Sequence, residues 1–173
     1  MPSARAHDMI TVAVAPPTFL AAYLVTGSTD LSLITTAAML FAGLMFGPDL
    51  DIHSRQYRRW GPLAFLWWPY KVVFGHRSRF SHGLVWGTVI RILYFIVTVG
   101  VLISAGLFVY SLLHPQASRP PSMTALIRHV WQTLWSVDHR LLLAAFVGLW
   151  WGAATHTLAD WLFTVWKNTK RIF

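Results

Sequence analysis

From Gly83 to Leu113 the chain runs for about 31 residues with a single charged side chain, Arg91. As a helix this stretch is about 46 Å long, more than the hydrocarbon core of a bilayer at about 30 Å. In lipid, each backbone N–H and C=O has to be satisfied within its own segment, so a run like this is read as a helix. Three further apolar stretches carry the same constraint: Met9 to Thr26, Leu31 to Phe46 and Leu141 to Trp166. The expected fold is all-α: a polytopic membrane protein of four transmembrane helices in a single domain over residues 1–173. Composition agrees, with 55% apolar and only 12% charged residues, where soluble domains carry about 25% charged. Cysteine is absent, which excludes a disulfide framework and a thiolate metal site. The formal charge of +8 sits beside the apolar spans instead of forming a soluble basic stripe. Membrane lipids and a phosphate-bearing or lipid substrate are therefore the expected partners, and nucleic acid is not.

Within this frame the local signals are specific. Pro16-Pro17 falls inside the first span and predicts a kink. Only Arg5 precedes that span, and His7-Asp8 interrupt the approach, so it reads as a mature helix instead of a secretory signal. Gly27-Ser28-Thr29-Asp30 predicts a tight turn with Asp30 as the N-cap of the second span. Leu63 to Phe74 is apolar on every side but too short to cross, which predicts a re-entrant or interfacial segment broken at Pro69. Arg91, two turns into the third span, is expected to face protein or headgroups. After Pro120-Pro121, the residues Met123, Leu126, Ile127, Val130, Trp131, Leu134 and Trp135 recur at three- and four-residue steps. They predict an amphipathic helix with Ser122 as N-cap, on the membrane surface or packed on the bundle.

With the N-terminus in the cytoplasm, Arg5, the six Lys/Arg of the 53–82 loop and three C-terminal ones lie inside. Arg119, Arg128 and Arg140 lie outside, a ratio of ten to three that favours this orientation. The expected location is the inner (plasma) membrane of a prokaryote or its equivalent, both termini cytoplasmic.

The second span ends on Gly47-Pro48-Asp49-Leu50-Asp51-Ile52-His53, three potential metal ligands within five residues. A plain alternative is a helix C-cap followed by solvated acids, but acids have the wrong sign for a helix C-terminus. On the expected topology further ligand-type residues reach the same membrane face. His7 and Asp8 precede the first span, and His76 and His82 precede the third. His156 and Asp160 lie about 22 and 28 Å into the last, four residues apart on one helix face. Asp49, Asp51, His82, His156 and Asp160 are the expected core ligands, with His7, Asp8, His53 and His76 as further candidates. His114, His129 and His139 fall on the opposite side. Nine candidates exceed the need of one ion, so a centre of two divalent ions is expected, zinc first, with manganese or iron also compatible with N/O ligands. Arg77 and Arg79, between two of the histidines, are expected to hold an anionic substrate.

At these residues the chain resembles a prokaryotic membrane-protein family of unknown function described as metal-binding. The matching landmarks are His7-Asp8, Gly47-Pro48-Asp49-Leu50-Asp51, Tyr57-Arg58-Arg59-Trp60-Gly61-Pro62, His76-Arg77-Ser78 with Ser81-His82, and His156-Thr157-Leu158-Ala159-Asp160-Trp161. More distantly the chain is similar to membrane-bound metal-dependent hydrolases, and its His-x-x-x-Asp step to zinc-dependent phospholipase C enzymes. The resemblance implies metal binding and, more loosely, hydrolysis; it implies no particular substrate. The functional expectation is a cytoplasm-facing metal-dependent hydrolase of phosphoesterase type. The alternatives are a non-enzymatic metal sensor or structural module and, ranked lowest, a metal transporter, whose sites sit near the bilayer midplane.

Overall fold

The computed structural model describes residues 3–74, 78–114 and 122–169. Among them there is no strand. The helices are α1 (Ala4–Thr26), α2 (Thr29–Leu44), α3 (Arg55–Arg59), α4 (Trp68–Val73), α5 (Arg79–His82), α6 (Trp86–Leu113), α7 (Met123–Ser136) and α8 (His139–Thr169). Two 3-10 segments, Pro48–Asp51 and Gly61–Trp67, lie between α2 and α4. Four of these elements are long and apolar enough to cross a membrane: α1, α2 with its extension to Asp51, α6 and α8.

Helix starts follow side-chain capping. Ser3, Ser28, Ser54 and Ser122 each accept a hydrogen bond from the backbone N–H three residues on. At α2 the cap is thus Ser28 and not Asp30, which sits inside the first turn. Its carboxylate still meets the positive end of the helix dipole there, so the charge pattern alone did not distinguish the two positions. The helix α1 runs on through Pro16 and Pro17 to Thr26 and stops at Gly27, whose φ of 65° suits a residue without Cβ. Pro69 opens a helix instead of breaking one, because the first turn of α4 has no use for its missing N–H.

The core is a three-helix packing in which α2 lies against both α1 and α8. Small residues make it possible. On α8 the buried row Ala144, Gly148, Gly152 faces α2. A Cβ at Gly148 would stand 2.2 Å from the Thr35 carbonyl oxygen, and one at Gly152 2.2 Å from that of Met39. Such contact between backbones is how apolar helices gain packing where lipid removes the hydrophobic driving force between them. The matching buried row on α1 is His7, Thr11, Ala15 and Thr18. Trp151 donates its indole N–H to the Thr18 hydroxyl at 3.0 Å, tying α8 to α1.

The connection from α2 to α6 is not peripheral. Helix α3 turns back onto the C-terminus of α2, where the last carbonyls have no helical partner. Gln56 Nε2 donates to the Gly43 carbonyl (2.8 Å), Arg59 Nη1 to Leu44 (2.7 Å) and Trp60 Nε1 to Met45 (2.8 Å). Beyond it, Trp67 and Tyr70 are fully buried with Phe46, Leu50 and Leu66, and α6 closes over them with Ile90, Tyr94 and Phe95. Trp67 stacks on Phe95 at 5.8 Å and meets Phe46 edge-on at 5.3 Å. The Tyr94 hydroxyl donates to the Leu66 carbonyl. Burial raises the Tyr70 pKa above its ordinary value, so Tyr70 is a neutral phenol. The 61–73 segment is thus two short helical pieces, with Trp67 and Tyr70 packed into the protein and Phe65 and Trp68 exposed. Helix α7 has no buried residue, and Ile127, Val130, Trp131 and Trp135 are exposed on it.

Candidate metal centre

The ligand-type side chains stand where the packing rows end. His156 is the next position after Gly152 on the row of α8 that faces α2, and Asp160 is one turn further. His7 is the first position of the buried row on α1. The Pro48–Asp51 segment follows α2 and is fixed by α3, which brings Asp49 to His156 on α8 and Asp51 to His82. The short helix α5, capped by the Ser78 hydroxyl through the Ser81 N–H, brings His82 from the other side.

The distances define two groups with a shared member. His7, His156 and Asp160 each offer one ligand atom, and these atoms lie within 4.8 Å of one another. His7 Nε2 is 3.3 Å from Asp160 Oδ1, and the two imidazoles stack with centroids 3.9 Å apart. In the second group His82 Nε2 is 3.6 Å from Asp49 Oδ1, and His82 Nδ1 is 3.7 Å from Asp51 Oδ2. Asp49 joins the groups, because its Oδ2 is 3.3 Å from His156 Nε2. The Ser81 hydroxyl sits 3.0 Å from His82 Nδ1 and orients the ring.

The donor set fits a divalent cation. Both ring nitrogens of His156, together with His7 Nδ1 and Asp49 Oδ1, are buried without a well-formed hydrogen bond to the described residues. Polar atoms buried in that way cost free energy unless something else satisfies them, and imidazole nitrogens beside carboxylates are suited to a metal. Two stacked imidazoles with carboxylates at their edges make poor sense as a purely apolar helix contact.

Not every residue singled out above joins this cluster. Asp8, next to His7, turns the other way. Its carboxylate takes a two-pronged bond from Arg59 (2.8 and 2.7 Å) and a further contact from Arg55 at 2.9 Å. His53 is exposed and packs edge-on against Tyr57 at 5.1 Å. His76 and Arg77 lie outside the described residues, as does the side chain of Arg79. His114, His129 and His139 are exposed and far along the chain from the cluster. Reading the sequence for ligands overlooked the Arg55–Arg59 pair, although their four-residue spacing on one helix face is the pattern of a two-armed carboxylate clamp. Ser81 was singled out as a landmark beside His82, without the ring-orienting contact that the structure gives it.

Among the described residues, an all-helical bundle with four helices long and apolar enough to cross a membrane, and with a His/Asp cluster at one end, defines a helical protein with a candidate metal site. The chain belongs to the family described as uncharacterized metal-binding protein (DUF2227), which it matches over residues 2–170. No curated protein and no solved structure matches it.

Proposed function

We propose that the protein is an integral membrane metal-dependent hydrolase of phosphoesterase type, acting on a lipid or other phosphate-bearing substrate at the cytoplasmic face. The observation that supports this reading best is the graded exposure of the cluster. The side chains of His7 and His156 are 8% and 3% exposed, whereas those of Asp49 and Asp160 are 19% and 17% exposed. The carboxylates thus lie nearer the surface than the two imidazoles, the side from which a catalytic metal site would take up its substrate. His7, His156 and Asp160 would hold one divalent ion, and Asp49, Asp51 and His82 a second, with Asp49 between them. Zinc is the first choice, and manganese and iron suit the same ligands. Such an ion supplies Lewis acidity toward a phosphoryl oxygen. Arg77 and Arg79, a few residues before His82, are assigned to the anionic oxygens of the substrate.

A second reading has its own support. The cluster draws on the first turns of α1, the segment after α2, α5 ahead of α6 and the interior of α8, as a metal that staples a bundle together would. The two readings separate in one experiment: elemental analysis of the purified protein, with a phosphoester substrate screen in the presence and absence of chelator. Bound metal with chelator-sensitive turnover is expected. Bound metal without turnover on any phosphoester, and unfolding on chelation, favours the staple. Metal-free protein sinks both.

The orientation has a separate test. Reporter fusions at Phe173 and near Ser118 are expected to report opposite compartments, the former cytoplasmic. The same compartment for both would overturn the four-span topology.

A further inference from the structure

Arg91 is the one charged residue within α6, and it is 1% exposed. A guanidinium in such a place is costly unless its charge and its donors are met. One of its donors goes to the turn that carries His82 and another to its own helix. Nη1 donates to the Ser81 carbonyl at 2.7 Å and Nη2 to the Thr88 hydroxyl at 3.2 Å. The Tyr70 hydroxyl lies beside it, and the carboxylates of Asp51 and Asp49 act on it electrostatically. The junction is close-packed: a Cβ at Gly87 would stand 2.7 Å from the same Ser81 carbonyl oxygen and 3.5 Å from Arg91 Nη1. The contacts form a chain from α6 into the cluster, running from Arg91 to Ser81, from the Ser81 hydroxyl to His82 Nδ1, and from His82 to Asp49 and Asp51.

We propose that Arg91 is the positioning residue of the metal centre, holding the Ser81–His82 turn against Asp49 and Asp51 and offsetting part of their charge. The proposal rests on the reading of the cluster as a metal centre. Asp8 is already matched by Arg59 and Arg55, so the carboxylates facing the two imidazole groups are Asp49, Asp51 and Asp160. One fixed cation on the side of Asp49 and Asp51 lowers the repulsion between these two without occupying a ligand atom. Arginine suits the task better than lysine, because its planar fork serves the Ser81 carbonyl and the Thr88 hydroxyl at once from a preset geometry. Partners that orient a ligating histidine typically change metal affinity by about 10- to 100-fold when replaced.

The test is a cobalt titration of the purified, detergent-solubilised full chain, following both affinity and the visible absorption of bound Co²⁺. Arg91→Lys keeps the charge and loses the fork. It is expected to weaken Co²⁺ binding by about 10- to 100-fold and to alter the cobalt spectrum in the same sense as His82→Ala. A purely structural role in joining α5 to α6 would lower thermal stability and leave the spectrum of bound cobalt unchanged. Thr88→Val, nearly isosteric, removes only the Nη2 partner and is expected to weaken binding in the same direction. If Arg91→Lys does not fold, Thr88→Val decides on the same outcomes. Wild-type affinity and spectrum in the folded variants would overturn the role of Arg91. Failure of the wild-type protein to bind Co²⁺ at all would instead sink the metal reading on which the proposal rests.

Discussion

His156→Ala is expected to abolish metal binding, and Asp49→Asn and Asp51→Asn to lower metal content sharply, while His129→Ala leaves it at the wild-type level. His156 stands at the junction of the two ligand groups: its Nε2 lies 3.3 Å from Asp49 and 4.0 Å from Asp160, and its ring stacks on His7. Losing a direct ligand should exceed the effect of losing an outer partner, so affinity should fall by more than about 100-fold. Asp49→Asn keeps the shape of the side chain and removes the charge that joins the groups. Because metal binding free energy is part of folding free energy, the same variants should melt at lower temperature, and chelator should lower the wild-type midpoint toward theirs. Elemental analysis and thermal melts read both effects. Full metal retention in His156→Ala and both Asp→Asn variants would return the cluster to ordinary helix-end contacts.

Gly152→Val is expected to cost about 3 kcal/mol, the upper part of the overpacking range, or to prevent folding. A Cβ there would meet the Met39 carbonyl oxygen at 2.2 Å and the Gly43 nitrogen at 2.9 Å. Both are backbone atoms, so the strain cannot be relieved by a rotamer change and α2 and α8 must separate. His156 is one turn beyond, so metal content should fall as well. Gly100 and Gly106 on α6 provide the contrast, since a Cβ at either meets nothing within 4 Å. Gly100→Ala should be neutral or slightly stabilising through helix propensity. A melt of Gly152→Val matching that of Gly100→Ala would refute the close α2–α8 packing.

Both predictions depend on how much of the molecule its sequence discloses. The long helices were legible because length and apolar content constrain a span almost without regard to neighbours. The stretches from Met9, Leu31, Gly83 and Leu141 correspond to α1, α2, α6 and α8 to within a few residues. The burial of Arg91 was legible for the same reason, since an apolar helix leaves a guanidinium few other places. What Trp67 and Tyr70 do was not legible. A short apolar segment looks the same whether it lies at an interface or folds into a core, and only the return of α3 onto α2 decides between them. The meeting of Asp49, Asp51, His82, His156 and Asp160 could be inferred from counting residues along spans. The fate of Asp8 could not. Its neighbour His7 points into the bundle, and whether a carboxylate one residue away finds a ligand shell or an arginine depends on a helix about fifty positions later.

The repeat of small residues on α8 has a consequence for alignment. A row of Ala144, Gly148 and Gly152 looks much the same after sliding by one repeat, about 6 Å along the helix. By itself it would tolerate neighbouring offsets of α8 against α2. His156 and Asp160 have no counterpart one repeat earlier, where Gly152 and His156 would stand in their places. Bringing His156 to Asp49 and Asp160 to His7 singles out one offset from those the glycines allow. The chemistry at the end of the bundle thus acts as the vernier of its assembly, setting the position of helices whose contacting surfaces do not set it alone.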